Sequence, residues 1–332
     1  MRYAQLEQWV HAGGEPLVVR TSGSSGEPKD VVLSHTAVLA SARATLDRLG
    51  GPGHWLLALP VSGIAGIQVL VRSALAEREP VVLTDHPSLR SANDALDASM
   101  RRYAAVVPTQ LHRWAEFGDE LGALAELDAV LVGGAAIDPG LLMIARSEGV
   151  NVVRTYGMTE TCGGCVYDGV PLDGVEVRVD DDGQVWLNGP TLFDGYVGEP
   201  REPGAWFATA DRGEFLPDGR LRVLGRIDEM VVSGGVNIPL PAVEGGLRIQ
   251  PGIADVAVVG VADLEWGARV VAAVVPAVGA RWDLPTLRDA VEAVGMPRTW
   301  APRQLLMLDE LPMLSAGKVD RERLRRLAND KP

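Results

Sequence analysis

Between residues 16 and 155, short uninterrupted apolar runs alternate with stretches whose apolar residues recur at helical spacing. The runs predict strands at Leu17–Arg20, Val31–Leu33, Trp55–Leu59, Val81–Leu83, Ala104–Val107, Ala129–Val132 and Val152–Thr155. From Thr36 to Leu49, the residues Val38, Leu39, Ala42, Leu46 and Leu49 fall on one helical face. Asp138-Pro139 reads as an N-cap followed by a first-turn proline, and Gly149 as the stop of the same helix. Strands apolar on both faces that alternate with helices predict a mostly parallel sheet flanked by helices.

The texture changes twice after that. From Gly174 to Gly225, short alternating runs (Val175–Val179, Gln184–Leu187, Leu221–Leu224) are separated by the turn pairs Asp182-Gly183 and Asp218-Gly219. That pattern predicts an antiparallel β-rich subdomain. Beyond it, apolar runs at Val256–Val261 and Val270–Val275 mix with helical stretches near Pro241–Arg248, Leu284–Val294 and Arg321–Leu327. The expected fold is α/β: a large domain over 1–225, with 174–225 as its β-rich part, a hinge near 226–228, and a small α+β domain over 229–332.

Composition narrows the function. A chain of 332 residues suggests two domains. With 31 basic and 44 acidic residues the net charge is −13, a poor basis for general binding of nucleic acid or anionic membrane. Any anionic ligand therefore needs local cations. No apolar run reaches the roughly 18 residues of a membrane span, and the start lacks the pattern of a secretory signal. Cys162 and Cys165 are too few for a disulfide framework. A cytoplasmic protein is expected.

Four segments carry candidate chemistry. Thr21-Ser22-Gly23-Ser24-Ser25-Gly26-Glu27-Pro28-Lys29 lies between two strand-like runs. Its glycines let backbone N–H groups approach a phosphate, its hydroxyls add donors, and Lys29 adds charge. It is not a Walker loop, because Pro28 precedes the lysine and a strand follows. The second segment, Thr155-Tyr156-Gly157-Met158-Thr159-Glu160-Thr161, falls where a parallel strand should end, the usual place for ligands in open α/β sheets. There Tyr156 can stack on a base, Thr159 can donate to a phosphate, and Glu160 can hold Mg²⁺. Asp211 and Arg226 in the third segment have the means to clasp a ribose; turn capping and a surface ion pair are the alternatives. The fourth, Leu311-Pro312-Met313-Leu314-Ser315-Ala316-Gly317-Lys318, offers a lysine on a glycine loop.

Taken as an ordered set from about Arg20 to Arg321, these segments resemble the adenylate-forming superfamily of acyl-CoA synthetases, luciferases and peptide-synthetase adenylation domains. Val107-Pro108-Thr109-Gln110-Leu111, Gly133-Gly134-Ala135-Ala136-Ile137 and the run from Tyr156 to Tyr167 are similar to the short actinobacterial o-succinylbenzoate–CoA ligases of menaquinone biosynthesis. The resemblance implies ATP, Mg²⁺ and CoA, and a carboxylate that attacks the α-phosphorus before the CoA thiol displaces AMP. It implies that Thr21 to Lys29 cradles the β and γ phosphates and that Thr159 holds the α-phosphate. Glu160 would hold the metal. Tyr156, Gly157 and the Gly133-Gly134-Ala135 turn would flank adenine, and Asp211 and Arg226 the ribose. Lys318 would bridge the acid and the α-phosphate. Asp228 would be the hinge of a lid whose rotation withdraws Lys318 and presents Ser233, Gly234 and Gly235 to CoA. Gly63, Thr109 and Gly163 would line the acyl pocket.

A second carboxylate on the acid calls for one more cation. Arg72 either grips that group bidentately or is a solvated arginine at a helix end. The chain also departs from the family. Only 20 residues precede Thr21, fewer than in typical members, which implies a reduced large domain and a sheet flank that a homodimer would cover. Gly63 stands where a histidine or aromatic gate is common. Cys162-Gly-Gly-Cys165 has the spacing of a redox or half-zinc motif, with a small-residue pocket wall as the alternative. A ligase for another aromatic or dicarboxylic acid, a carrier-protein-loading enzyme and a degenerate nucleotide binder are the competing functions.

Overall fold

The chain enters through helix α1 (Tyr3–Ala12) and a hairpin of β1 (Leu17–Arg20) and β2 (Asp30–Leu33), paired antiparallel from Leu17↔Leu33 to Arg20↔Asp30. The structure, a computed structural model, describes residues 3–21, 29–116, 118–227, 230–313 and 319–330. Ser34 caps α2 (His35–Leu49) by accepting from the Ala37 N–H, and Gly50 ends it at φ +89°. That helix buries Val38, Leu39, Ala42 and Leu46, the face expected from the sequence.

Strand–helix alternation follows through β3 (Gly53–Leu57), α3 (Ile64–Leu75), β4 (Val81–Val82), α4 (Leu89–Asp94), β5 (Arg101–Val106), α5 (Pro108–Ala115) and α6 (Gly118–Ala125), then β6 (Ala129–Val132), α7 (Pro139–Ser147) and β7 (Val152–Met158). Asp138 Oδ1 accepts from the Leu141 N–H at 2.8 Å, so it caps α7, and Gly149 beyond the helix has φ +86°. β8 (Gly163–Tyr167) and β9 (Val170–Pro171) then turn back antiparallel. The resulting sheet runs β4-β3-β5-β6-β7-β8-β9, with every pair from β4 to β7 parallel. Leu56, Ala104, Val106, Val130 and Val132 fill its core with Leu111 and Leu124 from the helices.

The rest of the chain is β-rich at first. It comprises β10 (Glu176–Val179), β11 (Gln184–Asn188), β12 (Gly195–Tyr196), β13 (Glu199–Pro200), β14 (Phe207–Phe215) and β15 (Leu221–Arg226). β10, β11, β14 and β15 form one four-stranded sheet in that order. Then come β16 (Met230–Ser233), β17 (Val236–Pro239), α8 (Leu240–Arg248), β18 (Ile253–Asp263), β19 (Gly267–Pro276), α9 (Leu284–Ala293), β20 (Gln304–Met307) and α10 (Arg321–Asp330). Their sheet runs β17-β16-β19-β18, with β20 parallel to β19. Along β18, Val256 and Val258 enter one core with α8 and α9, while Ala257 and Val259 enter another with Leu324 of α10. A strand buried on both faces reads as an unbroken apolar run for that reason.

By contacts the chain forms two units. One holds Met1–Arg178, Trp186–Ala208 and Phe215–Leu221; the other holds Val179–Val185, Thr209–Glu214 and Arg222–Pro332. No described helix is long and apolar enough to cross a membrane.

Three local expectations are corrected. β1 and β2 do not join the parallel sheet but form a separate sheet in the order β1-β2-β12-β13. Leu17 and Val19 are buried while Val18 and Arg20 are exposed, the period-two burial of a strand with one solvated face. The run at Val81–Leu83 is shorter than expected, since Leu83 opens a 3₁₀ turn. β7 runs on to Met158, because β8 pairs with its last residues. Tyr156 and Gly157 therefore stand on a strand, not in the loop after it.

Candidate active site

The parallel register fixes where this site lies. Leu57 pairs with Ala105, Val106 with Val132 and Val132 with Arg154. The carboxyl ends of β3, β5 and β6 and the outer half of β7 consequently lie side by side. They carry Pro60, Val107, the Gly133–Ala135 turn and Tyr156 to Glu160. The Gly133 N–H donates to Val106 O at 3.2 Å, and a Cβ on Gly133 would come within 2.2 Å of Thr155 Oγ1. Gly134 has φ +81°. Gln110 donates to Ala58 O at 2.7 Å and so joins α5 to the end of β3; its neighbour Thr109 is exposed in the first turn of α5. Tyr156 and Gly157 are half-buried.

Gly157 meets the returning strand at very close range. A Cβ there would lie 2.1 Å from Gly163 O and 2.7 Å from Gly164 Cα, both backbone atoms that cannot swing aside. Gly157→Ala is expected to destabilise the fold by about 3 kcal/mol, read as a fall in the thermal unfolding midpoint; an unchanged midpoint would refute this packing.

The neck of the phosphate-loop segment is closed. The Thr21 N–H donates to Lys29 O at 2.8 Å, and the Lys29 N–H reaches Thr21 Oγ1 at 3.2 Å. Ser22, Gly23, Ser24, Ser25 and Gly26 lie outside the described residues. The Lys29 ammonium sits 4.6 Å from the ring centroid of Tyr196. The Tyr196 hydroxyl donates to Glu160 Oε1 at 2.9 Å. Burial, with the Glu160 charge, pushes the phenol well above its ordinary pKa, so it stays protonated and a donor. No other described side chain hydrogen-bonds or ion-pairs with the Glu160 carboxylate. Thr159 opens the 3₁₀ turn Thr159–Thr161, which carries Glu160, and Thr161 braces that turn through its hydroxyl to Gly163 O at 2.6 Å.

α3 forms the wall expected for the acyl group. Gln68 Nε2 donates to Val38 O at 3.2 Å and to Cys162 O at 2.8 Å. Gly163, at φ +100°, lies against the same residue: a Cβ there would sit 3.5 Å from Gln68 Cγ. Gly63 begins the helix at φ −107°, and a Cβ would meet nothing nearer than Pro60 O at 3.9 Å. Position 63 is therefore open space with no steric need for glycine. Arg72 is one turn beyond Gln68 and only 3% exposed, which removes the solvated alternative. Its guanidinium stacks 5.0 Å from the Trp55 ring centroid, and no described residue offers it a hydrogen bond or a carboxylate. Burial lowers its pKa. Trp55 Nε1, Gln68 Oε1 and Ser73 Oγ are likewise buried without partners. Cys162 and Cys165 are free, buried thiols whose pKa values burial raises, that of Cys165 to about 12. Such thiols are poor nucleophiles.

The second unit carries its own set. Asp211 on β14 and Arg226 at the end of β15 are half-buried, and the Asp211 N–H donates to Thr209 Oγ1 at 3.1 Å. Gly234 and Gly235, at φ +59° and +78°, make the two-residue turn between β16 and β17, a turn that needs positive φ at both positions. Ser233, 1% exposed, accepts from Arg303 Nε at 3.4 Å. Arg303 stacks 3.3 Å from the Trp266 ring centroid, and that ring lies against Gly234. Asp228 and Lys318 lie outside the described residues. The sequence reading missed Tyr196, Trp266 and Arg303. Tyr196 follows a glycine in Asp194-Gly195-Tyr196, a pattern with no chemical signature of its own.

Residues 17–197 match the AMP-binding enzyme family, and residues 242–318 match the AMP-binding enzyme C-terminal domain. The chain belongs to the AMP-binding enzyme family, and the adenylate-forming resemblance and the α/β fold class read from the sequence are borne out. A probable 2-succinylbenzoate–CoA ligase from Mycobacterium tuberculosis is 47% identical over 329 residues, which cover 95% of this chain and 85% of that protein. An indoleacetate–CoA ligase from Aromatoleum aromaticum is 30% identical over 94% of this chain and 67% of its own. The structure of o-succinylbenzoate CoA synthetase from Bacillus subtilis, in complex with its acyl-adenylate intermediate, aligns with a TM-score of 0.79 at 27% identity. The alignment covers 93% of this chain and 68% of that one.

Proposed function

We propose that the protein is an ATP-dependent acid–CoA ligase that converts o-succinylbenzoate to o-succinylbenzoyl-CoA in menaquinone biosynthesis. Arg72 carries the choice of acid: a buried guanidinium with no counter-charge among the described residues is costly to keep unless a ligand supplies the anion. The 47% identity to a protein named for this activity supports the same reading.

Two anions must meet in the first half-reaction, so the residues act by positioning and charge neutralisation. The Thr21–Lys29 loop holds the β and γ phosphates, and Thr159 donates to the α-phosphate. Tyr156, Gly157 and the Gly133–Ala135 turn flank adenine; Asp211 and Arg226 take the ribose hydroxyls. Gly63, Thr109 and Gly163 leave room for the acid while Arg72 holds its second carboxylate. Lys318 draws the reacting carboxylate and the α-phosphate together. Rotation about Asp228 then replaces Lys318 with the Ser233–Gly235 turn, beside which Arg303 offers a cation to the phosphates of CoA.

The donor set fits Mg²⁺. Among the described residues no cluster of three or more acidic, histidine or cysteine side chains gathers to cage a metal. Glu160 offers one carboxylate beside a phosphate loop, the arrangement Mg²⁺ takes with nucleotide oxygens. When bound, the ion supplies charge neutralisation on the phosphates.

The test is release of AMP from Mg²⁺, ATP and CoA over a panel of small carboxylic acids. o-Succinylbenzoate should give the highest kcat/KM. Turnover only with a monocarboxylic acid, or only with a carrier protein in place of CoA, would refute the reading.

A further inference from the structure

Lys29 and Glu160 are the cation and the anion that the nucleotide and its metal need, yet they do not pair with each other. A single side chain stands between them. The ring face of Tyr196 holds the ammonium at 4.6 Å, and its hydroxyl donates to the carboxylate at 2.9 Å. A direct ion pair would consume both charges. A neutral donor fixes the carboxylate without neutralising it, and an aromatic face holds an ammonium while leaving its three N–H groups available.

The backbone makes this wedge rigid. Tyr196 pairs with Val31 and Gly195 with Val32, so the tyrosine rides on β2, the strand that leaves the phosphate loop. The Asp194 N–H donates to Val32 O at 2.9 Å and the Val197 N–H to Asp30 O at 3.0 Å. Three residues before Tyr196, the Phe193 N–H donates to Glu160 O at 2.8 Å, and the Phe193 ring packs edge-on against Tyr196 with centroids 5.1 Å apart. One short segment thus grips both the strand that follows Lys29 and the turn bearing Glu160. Gly195 permits it: a Cβ there would meet Glu199 O at 2.4 Å.

We propose that Tyr196 is a positioning residue for the metal-bound triphosphate: its hydroxyl locks one oxygen of Glu160 so that the other faces the ion, and its ring parks Lys29 at the mouth of the phosphate loop. This rests on the reading of Glu160 as the metal carboxylate. Groups that orient a metal ligand from behind set metal affinity, with losses of about 10- to 100-fold on removal.

The test is ATP binding by calorimetry, without acid or CoA, at a series of free Mg²⁺ concentrations. The full chain is compared with Tyr196→Phe, Tyr196→His and Glu160→Gln. Tyr196→Phe keeps the ladder and the ring and removes only the donor. It should raise the half-saturating Mg²⁺ by about 10-fold while leaving ATP affinity in EDTA unchanged. Tyr196→His, which restores a ring donor, should recover part of the loss and carries the comparison should Tyr196→Phe not fold. If both tyrosine variants superimpose on the parent while Glu160→Gln is shifted, the tyrosine is a structural brace and the proposal is wrong. If Glu160→Gln also superimposes, the assignment of Glu160 itself fails. A lower melting midpoint with an unchanged Mg²⁺ requirement overturns the proposal in the same way as superposition.

Discussion

A Lys318→Ala variant is expected to form no measurable adenylate from ATP and acid, yet to turn a supplied acyl-adenylate and CoA into thioester at close to the parent rate. The asymmetry follows from charge. In the first step a carboxylate approaches a triphosphate, and the bond forms only where a cation offsets their repulsion. Removing one preorganised group aimed at developing charge costs roughly 10²- to 10³-fold. In the second step the CoA thiol attacks the acyl carbonyl of a mixed anhydride whose phosphate keeps a single negative charge, so no carboxylate has to meet a triphosphate, and a lysine that a rotated lid would have withdrawn would contribute nothing. Pyrophosphate exchange reads the first half and thioester formation from synthetic adenylate the second. Equal loss in both halves would refute a lid with two working positions.

Arg72→Leu should separate binding from stability in opposite directions. The guanidinium is 3% exposed, stacked on Trp55 and without a carboxylate or hydrogen-bond partner among the described residues. An unpaired buried charge costs the fold several kcal/mol, so its replacement by an apolar side chain should not lower the thermal midpoint. Breaking a buried charge pair with a ligand costs about 2–5 kcal/mol. The Michaelis constant for o-succinylbenzoate should therefore rise roughly 100-fold, while that for benzoate, which lacks the second carboxylate, should not. An unchanged constant for o-succinylbenzoate would show that Arg72 does not hold the acid. A fall in stability with the same loss on both acids would show that it serves only the packing of α3 against Trp55.

Much of the fold was legible because local chemistry and burial agreed. Asp138 caps the helix it was expected to cap, and the both-faces-buried runs at Ala104–Val107 and Ala129–Val132 became adjacent parallel strands. The reading failed at Leu17–Arg20 and just past Thr155. Leu17–Arg20 contains too few residues to distinguish continuous burial from alternation, and only its partners decided that one face is wet. The sequence ends the strand at Thr155, before Tyr156, because nothing in residues 152–158 announces that Gly163 will return and pair with them.

The sequence by itself determined which chemistry this protein carries. Hydroxyl, glycine and lysine residues crowded into nine positions and a glutamate after a strand point to phosphate and metal, because those functions need those atoms wherever the chain goes. Only the tertiary structure decided how the charges are kept apart. Residues 29, 160 and 196 are far apart along the chain, and the antiparallel pairing of β12 with β2 brings a tyrosine between the lysine and the glutamate. Burial decided the surroundings of Arg72 in the same way: a solvated helix-end arginine and a buried one are spelled alike until the Trp55 ring stacks on the guanidinium and α3 packs inward.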